Sequence, residues 1–169
     1  MTMLFTLIGM PGSGKSCMSR AMVGKVDIKV LDSDKLIESS VGKKLAEIIK
    51  EVGNDGFKEI EERTLLAIKG DEDLLLATGG SAVYSEAAMN HLKAIGKVIY
   101  LYVSFETMIK RIGDYSKRGI IMRKDQTIKD LYDERVALYE KYADVTIDCD
   151  GEDYPKYRAK LLKIIKESI

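Results

Sequence analysis

Gly9-Met10-Pro11-Gly12-Ser13-Gly14-Lys15-Ser16 meets the pattern G-x-x-x-x-G-K-[ST] at every fixed position, and its reading decides the fold. The glycines let the backbone wrap closely, so that successive N–H groups point inward as an anion-binding nest. A helix opening near Gly14 adds its positive N-terminal end. In such a loop Lys15 reaches the β- and γ-phosphates of a nucleotide, and the Ser16 hydroxyl takes a place on Mg²⁺. The context fits. Leu4 to Ile8, just before it, is a continuous apolar run, the pattern of a central parallel strand covered on both faces. Helical character follows from Lys15 to Val23.

Working outward, strands and helices alternate. Lys29–Leu31, Leu74–Ala77, Val98–Val103 and Val145–Ile147 read as further strands. Between them lie helical stretches: one with Leu45, Ile48, Ile49 and Val52 on a single face, broken by Gly53-Asn54-Asp55-Gly56, and Phe57–Lys69 with Ile60, Thr64, Leu65 and Ile68 inward. Tyr84–Ala94, Phe105–Ile112, Thr127–Tyr142 and Tyr154–Ile169 complete the set. This alternation predicts an α/β domain with a mainly parallel sheet. The 169 residues fit one domain, with no repeat, low-complexity tract or linker.

Composition narrows the function classes. Hydrophobic residues at 46% and charged residues at 32% describe a folded globular chain and not a disordered one. With 27 basic and 27 acidic side chains the net charge is zero, so nothing global points to nucleic acid or an anionic membrane. Met3–Met10 is apolar, but it has no basic residues before it and no small-residue cleavage site after it, so it reads as a strand and not as a signal peptide. Cys17 and Cys149 form no metal-ligand or redox pattern, which suits a reduced, cytoplasmic setting. Cys17 is expected to be a small core residue facing the sheet.

A phosphate loop alone does not name a reaction. GTP-dependent switches carry an Asn-Lys-x-Asp guanine reader, which this chain lacks, and motor ATPases carry an acid at the end of an apolar Walker-B strand. Here the acids instead end the second strand, as Asp32-Ser33-Asp34. Carboxylates at that place stand above the sheet edge where open α/β folds bind ligands. One can hold a magnesium-bound water while the other accepts a proton from an acceptor hydroxyl. Ser33 or Asp34 also serves as a candidate cap for the following helix. From Lys110 to Lys124 there are six basic side chains against a single acid, Asp114.

Taken together, Gly9–Ser16, Asp32-x-Asp34, Phe57-Lys58-x-x-Glu61, Thr78-Gly79-Gly80-Ser81, the charged stretch around Arg118, and Arg135 with Tyr139 occur in the order and spacing of shikimate kinases, and the chain resembles that family over nearly its whole length. The resemblance implies a three-layer P-loop domain over residues 1–169, with a five-stranded parallel sheet of order 2-3-1-4-5 flanked by helices, a substrate-binding helical region about 33–60 and a mobile lid about 113–125. It implies ATP as co-substrate with Mg²⁺, a small anionic hydroxylated acceptor, a monomer, and neither nucleic acid nor membrane as partner. Asp34 is then the candidate base and contacts the acceptor hydroxyl. Asp32 holds Mg²⁺ through water beside Ser16. Gly12, Ser13, Gly14, Lys15, Ser16 and Cys17 bind nucleotide, and Arg111 stacks on adenine. Lys58, Gly79, Gly80 and Arg135 bind the acceptor, and Arg118 stabilises the transferring group with Lys15.

Three departures fall on the acceptor side. Lys58 stands where the family has arginine, exchanging a planar fork for a point charge. Ser81 replaces the third glycine of a Gly-Gly-Gly run, and Arg118-Gly119-Ile120-Ile121 replaces Arg-Pro-Leu-Leu. Two cations, Lys58 and Arg135, still favour an anionic polyol, most simply shikimate. A kinase of the same fold acting on another hydroxy acid such as gluconate, or a non-catalytic nucleotide switch, are the alternatives. A nucleoside-monophosphate kinase fits less well, because Asp55-Gly56-Phe57 is not followed by Pro-Arg. His91, Met108 and Ile112 are read as structural.

Overall fold

The computed structural model describes residues 1–115 and 119–169. Five strands, β1 (Leu4–Ile8), β2 (Lys29–Asp32), β3 (Leu74–Ala77), β4 (Gly96–Tyr102) and β5 (Val145–Asp148), pair in parallel in the order β2-β3-β1-β4-β5. This is the expected order. β1 lies between β3 and β4, so none of its side chains meets water, which is why Leu-Phe-Thr-Leu-Ile does not alternate.

Among the described residues seven helices flank the sheet: α1 (Lys15–Met22), α2 (Ser33–Val41), α3 (Leu45–Leu66), α4 (Glu86–Ile95), α5 (Phe105–Ile112), α6 (Ile128–Tyr142) and α7 (Tyr154–Ser168). α1 packs on α7 and β3, while α4 packs on α3, β1 and β4, and α6 reaches β4. The main core runs between these layers, with Met108 and Ile112 buried in it as expected. A smaller cluster of Ile37, Ile48, Phe57 and Ile121 joins α2 and α3 to the expected lid. Burying side chains of this size is worth about 1.5–3 kcal/mol each. Ile121, within the expected lid, is therefore pinned to the acceptor region.

Several expectations need correction. Gly53 breaks the helix as expected, with φ 75° and ψ 174°, so α3 is two helical segments meeting at a kink, but the second resumes at once and does not wait for Phe57. Its buried positions beyond the kink are Phe57, Glu61 and Leu65, while Ile60 and Thr64 are only half-buried. Tyr84–Ala94 is not one helix: a short 3₁₀ turn, Ala82–Tyr84, precedes α4, which Ser85 caps. Asp32, not Ser33 or Asp34, caps α2 by accepting from the Asp34 and Lys35 N–H groups. Cys17 is exposed, because the inward face of α1 is taken by Met18, Ser19 and Met22. No helix among the described residues is long and apolar enough to cross a membrane.

Candidate active site

The C-terminal ends of β1, β2 and β3 meet at the sheet edge around the switch in strand order, the place where open α/β sheets bind ligands. The loop after β1 turns on Gly14, which adopts φ 99° and so delivers Lys15 directly into α1. Lys15 is buried, and its ammonium folds back to donate to the Gly9 carbonyl at 2.6 Å and the Met10 carbonyl at 3.0 Å. Burial lowers its pKa to about 8, against the pull of Asp34. At the next position, the Ser16 hydroxyl donates to Asp32 Oδ2 at 2.6 Å. Two hard oxygen donors are thus already paired. With phosphate oxygens and waters completing six positions they fit Mg²⁺, which prefers this ligand chemistry.

Asp34, one residue into α2, lies over the loop after β3. A Cβ on Gly79 would sit 2.5 Å from Asp34 Oδ1 and 2.9 Å from Glu61 Oε2, so only glycine lets the two carboxyls approach this backbone. Burial, reinforced by the Asp32 charge, raises Asp34 to about 6. A Cβ on Gly80 would likewise sit 2.7 Å from Arg135 Nη1. Arg135 is 1% exposed, donates to the Ile121 carbonyl at 2.8 Å, and makes no ion pair among the described residues. The surface salt bridge that a helical arginine ordinarily makes is absent from those residues. Tyr139, quoted with Arg135 in the sequence, donates to the Gly80 carbonyl at 2.6 Å and so holds this loop against α6.

One cavity of about 570 Å³ gathers Lys15, Ser16, Asp34, Gly79, Gly80 and Arg135. Gly12, Gly14 and Cys17 line it as well, whereas Ser13 does not and Asp32 lines a neighbouring cavity that shares Ser16. Lys58 is not part of it. Its ammonium lies over the Tyr84 ring at 4.5 Å and faces a neighbouring cavity of about 530 Å³. Arg111 is also apart: its guanidinium donates to the Gly12, Cys149 and Gly151 carbonyls and lies against Tyr154, behind the phosphate loop. Arg118 lies outside the described residues. His91 meets the Ile68 carbonyl, far from the cavity's lining.

Two groups escaped assignment from the sequence. Glu61, quoted there only as part of a motif, is 2% exposed; its Oε1 accepts from the Ser81 hydroxyl at 2.7 Å, while Oε2 has no partner among the described residues. Burial raises it to about 7, against the Ser81 hydrogen bond. Tyr84 was read as the first residue of a helix. It instead carries both Lys58 and Arg135 on its ring. A glutamate on the inner face of α3 was detectable in the spacing Phe57-x-x-x-Glu61-x-x-x-Leu65; the role of Tyr84 had no local signal.

A phosphate loop after the first strand, with Asp34 after the second reaching the same cavity and Asp32 paired to Ser16 beside it, defines a P-loop kinase of small hydroxylated molecules. The chain belongs to the shikimate kinase family. The model of that family, described as "Shikimate kinase", matches residues 11–166. A shikimate kinase of Sulfurihydrogenibium sp. is 32% identical over 160 residues, covering 95% of this chain and 96% of that protein. One from Pasteurella multocida is 33% identical over 162 residues, with 94% and 93% covered. Among solved structures, "Shikimate kinase from Acinetobacter baumannii in complex with shikimate" superposes with a TM-score of 0.88 at 28% identity, covering 99% of this chain and 94% of that one.

Proposed function

We propose that this chain transfers the γ-phosphoryl group of ATP to the 3-hydroxyl of shikimate, giving shikimate 3-phosphate and ADP. The observation that carries the reading is the single cavity in which Asp34, Lys15 and Arg135, which makes no ion pair among the described residues, meet. A carboxylate titrating near 6 is ionised at neutral pH yet basic enough to take the acceptor's proton as the oxygen attacks. Lys15 exchanges the Gly9 and Met10 carbonyls for phosphate oxygens when nucleotide arrives. Arg135, buried with no anionic partner among the described residues, receives the carboxylate of the acceptor. Gly79 and Gly80 offer backbone at close range, and Ser13, Gly12, Gly14 and Cys17 frame the phosphates, with Arg111 on the adenine side.

Ser16 directly and Asp32 through water hold Mg²⁺, which neutralises charge on the phosphates when bound. Arg118, from the lid, supplies positive charge to the transferring group, and Lys58 the second charge toward the acceptor. The enzyme works in the cytoplasm as a monomer. A coupled assay of ADP release with ATP against a panel of hydroxy acids tests the reading. Shikimate-dependent turnover supports it, and turnover with gluconate but not shikimate overturns it.

A further inference from the structure

Arg135 and Lys58 are the two cations expected on the acceptor side, and neither forms a salt bridge among the described residues, although both charges act on the buried Glu61. What they share is a ring. Lys58 Nζ lies 4.5 Å and Arg135 Cζ 5.4 Å from the centroid of Tyr84. The negative face of an aromatic ring attracts cations without neutralising them. A carboxylate in that place would form an ion pair and compete with an incoming anion.

The Tyr84 hydroxyl is itself fastened. It donates to Glu134 Oε2 at 2.7 Å and accepts from Arg135 Nε at 3.4 Å. Glu134 is in turn held by Arg123 Nη1, at the end of the expected lid, and by Gln126 Nε2, just beyond it, each at 3.0 Å. Tyr84 is half-buried and lines the second cavity with Lys58, whereas Arg135 lines the first. The ring therefore stands where the two cavities' cations meet.

We infer that Tyr84 is a positioning residue of the acceptor site: it orients Lys58 and Arg135 on a neutral ring so that both charges stay available to the carboxylate of the substrate. This rests on the proposed carboxylate-bearing acceptor. It also accounts for a lysine at position 58, because the ring orders a side chain that lacks the fork of an arginine.

The test compares wild type, Tyr84→Phe, Tyr84→Leu and a chain with pentafluorophenylalanine at position 84, which keeps the ring's shape and inverts its charge distribution. KM for shikimate, kcat and KM for ATP are measured, then repeated with the methyl ester of shikimate. The Leu and fluorinated chains are expected to raise KM for shikimate about tenfold, the scale of a desolvated cation–ring contact. Their kcat and KM for ATP stay within about twofold, and the penalty vanishes with the ester, whose carboxylate is masked. The Phe chain loses less. An unchanged KM for shikimate in the fluorinated chain, or an equal penalty with the ester, overturns the inference. Absence of wild-type turnover with shikimate instead removes the proposed function itself.

Discussion

The Ser81 hydroxyl donates to Glu61 Oε1 at 2.7 Å, the single hydrogen bond among the described residues on a carboxyl that is otherwise sealed from water, and the serine occupies the place of a glycine in the family pattern. This pair ties the loop after β3 to α3 directly beside Asp34. A buried carboxyl with one partner is sensitive to losing it.

Ser81→Ala is accordingly expected to destabilise the protein by about 1–3 kcal/mol, the cost of leaving a buried acceptor unsatisfied. Urea denaturation midpoints of the two proteins measure it. A change of no more than a few tenths would mean that the Glu61 carboxyl finds another partner.

Stability should fall as pH rises through the weakly acidic range. Glu61 moves from an ordinary 4.5 to about 7 in the fold, and Asp34 from 3.8 to about 6. Between each pair of values the native state holds more protons than the unfolded chain, so raising pH favours unfolding. The Glu61 contribution is on the order of 3 kcal/mol between pH 4.5 and 7. Glu61→Gln should remove the Glu61 part, about half of the whole decline, and parallel wild-type and variant profiles would sink the assignment.

Asp34→Asn is expected to lower kcat by about 10²–10⁴ while leaving ATP affinity nearly unchanged, the range for a lost general base. The wild-type kcat/KM should fall on the acid side with a midpoint near 6, where the Asp34 carboxylate takes up its proton. Retained turnover in the Asn variant would remove Asp34 from the mechanism.

Lys15 titrates at about 8 in the unliganded chain, so above that pH it is largely neutral. Bound phosphates favour the charged form, and ATP binding near pH 8.5 should therefore take up a proton, with little uptake at pH 7. Calorimetry in buffers of different ionisation enthalpy reads this directly. Lys15→Ala should abolish both the uptake and nucleotide-dependent activity.

Replacing Lys58 by arginine should lower KM for a carboxylate-bearing acceptor by about threefold to tenfold, because a planar fork offers two bonds where an ammonium offers one. Steady-state kinetics with shikimate decide it. An unchanged KM would place Lys58 outside the grip, consistent with its position off the main cavity.

What could be read early was local or periodic. The apolar run of β1, the phosphate loop and Asp32-x-Asp34 each lie within a few residues, and their spacing carries their chemistry. Cys17 was misread because one position on a short helix turns a side chain by about a quarter circle, and neighbours decide which side is core. The break in α3 was legible because a glycine at positive φ interrupts a helix locally, whatever packs around it.

The amino-acid sequence by itself determined the α/β class, the family, the phosphate loop and the acids above the second strand, because strand periodicity and loop stereochemistry are properties of contiguous residues. Only the tertiary structure decided that Glu61 meets Ser81, that Lys58 and Arg135 share the Tyr84 ring, and that Lys58 stands off the cavity of Asp34. These partners are 20 to 51 positions apart in the chain. Their burial and charge are set by which surfaces close on each other, and that information is absent from any local stretch.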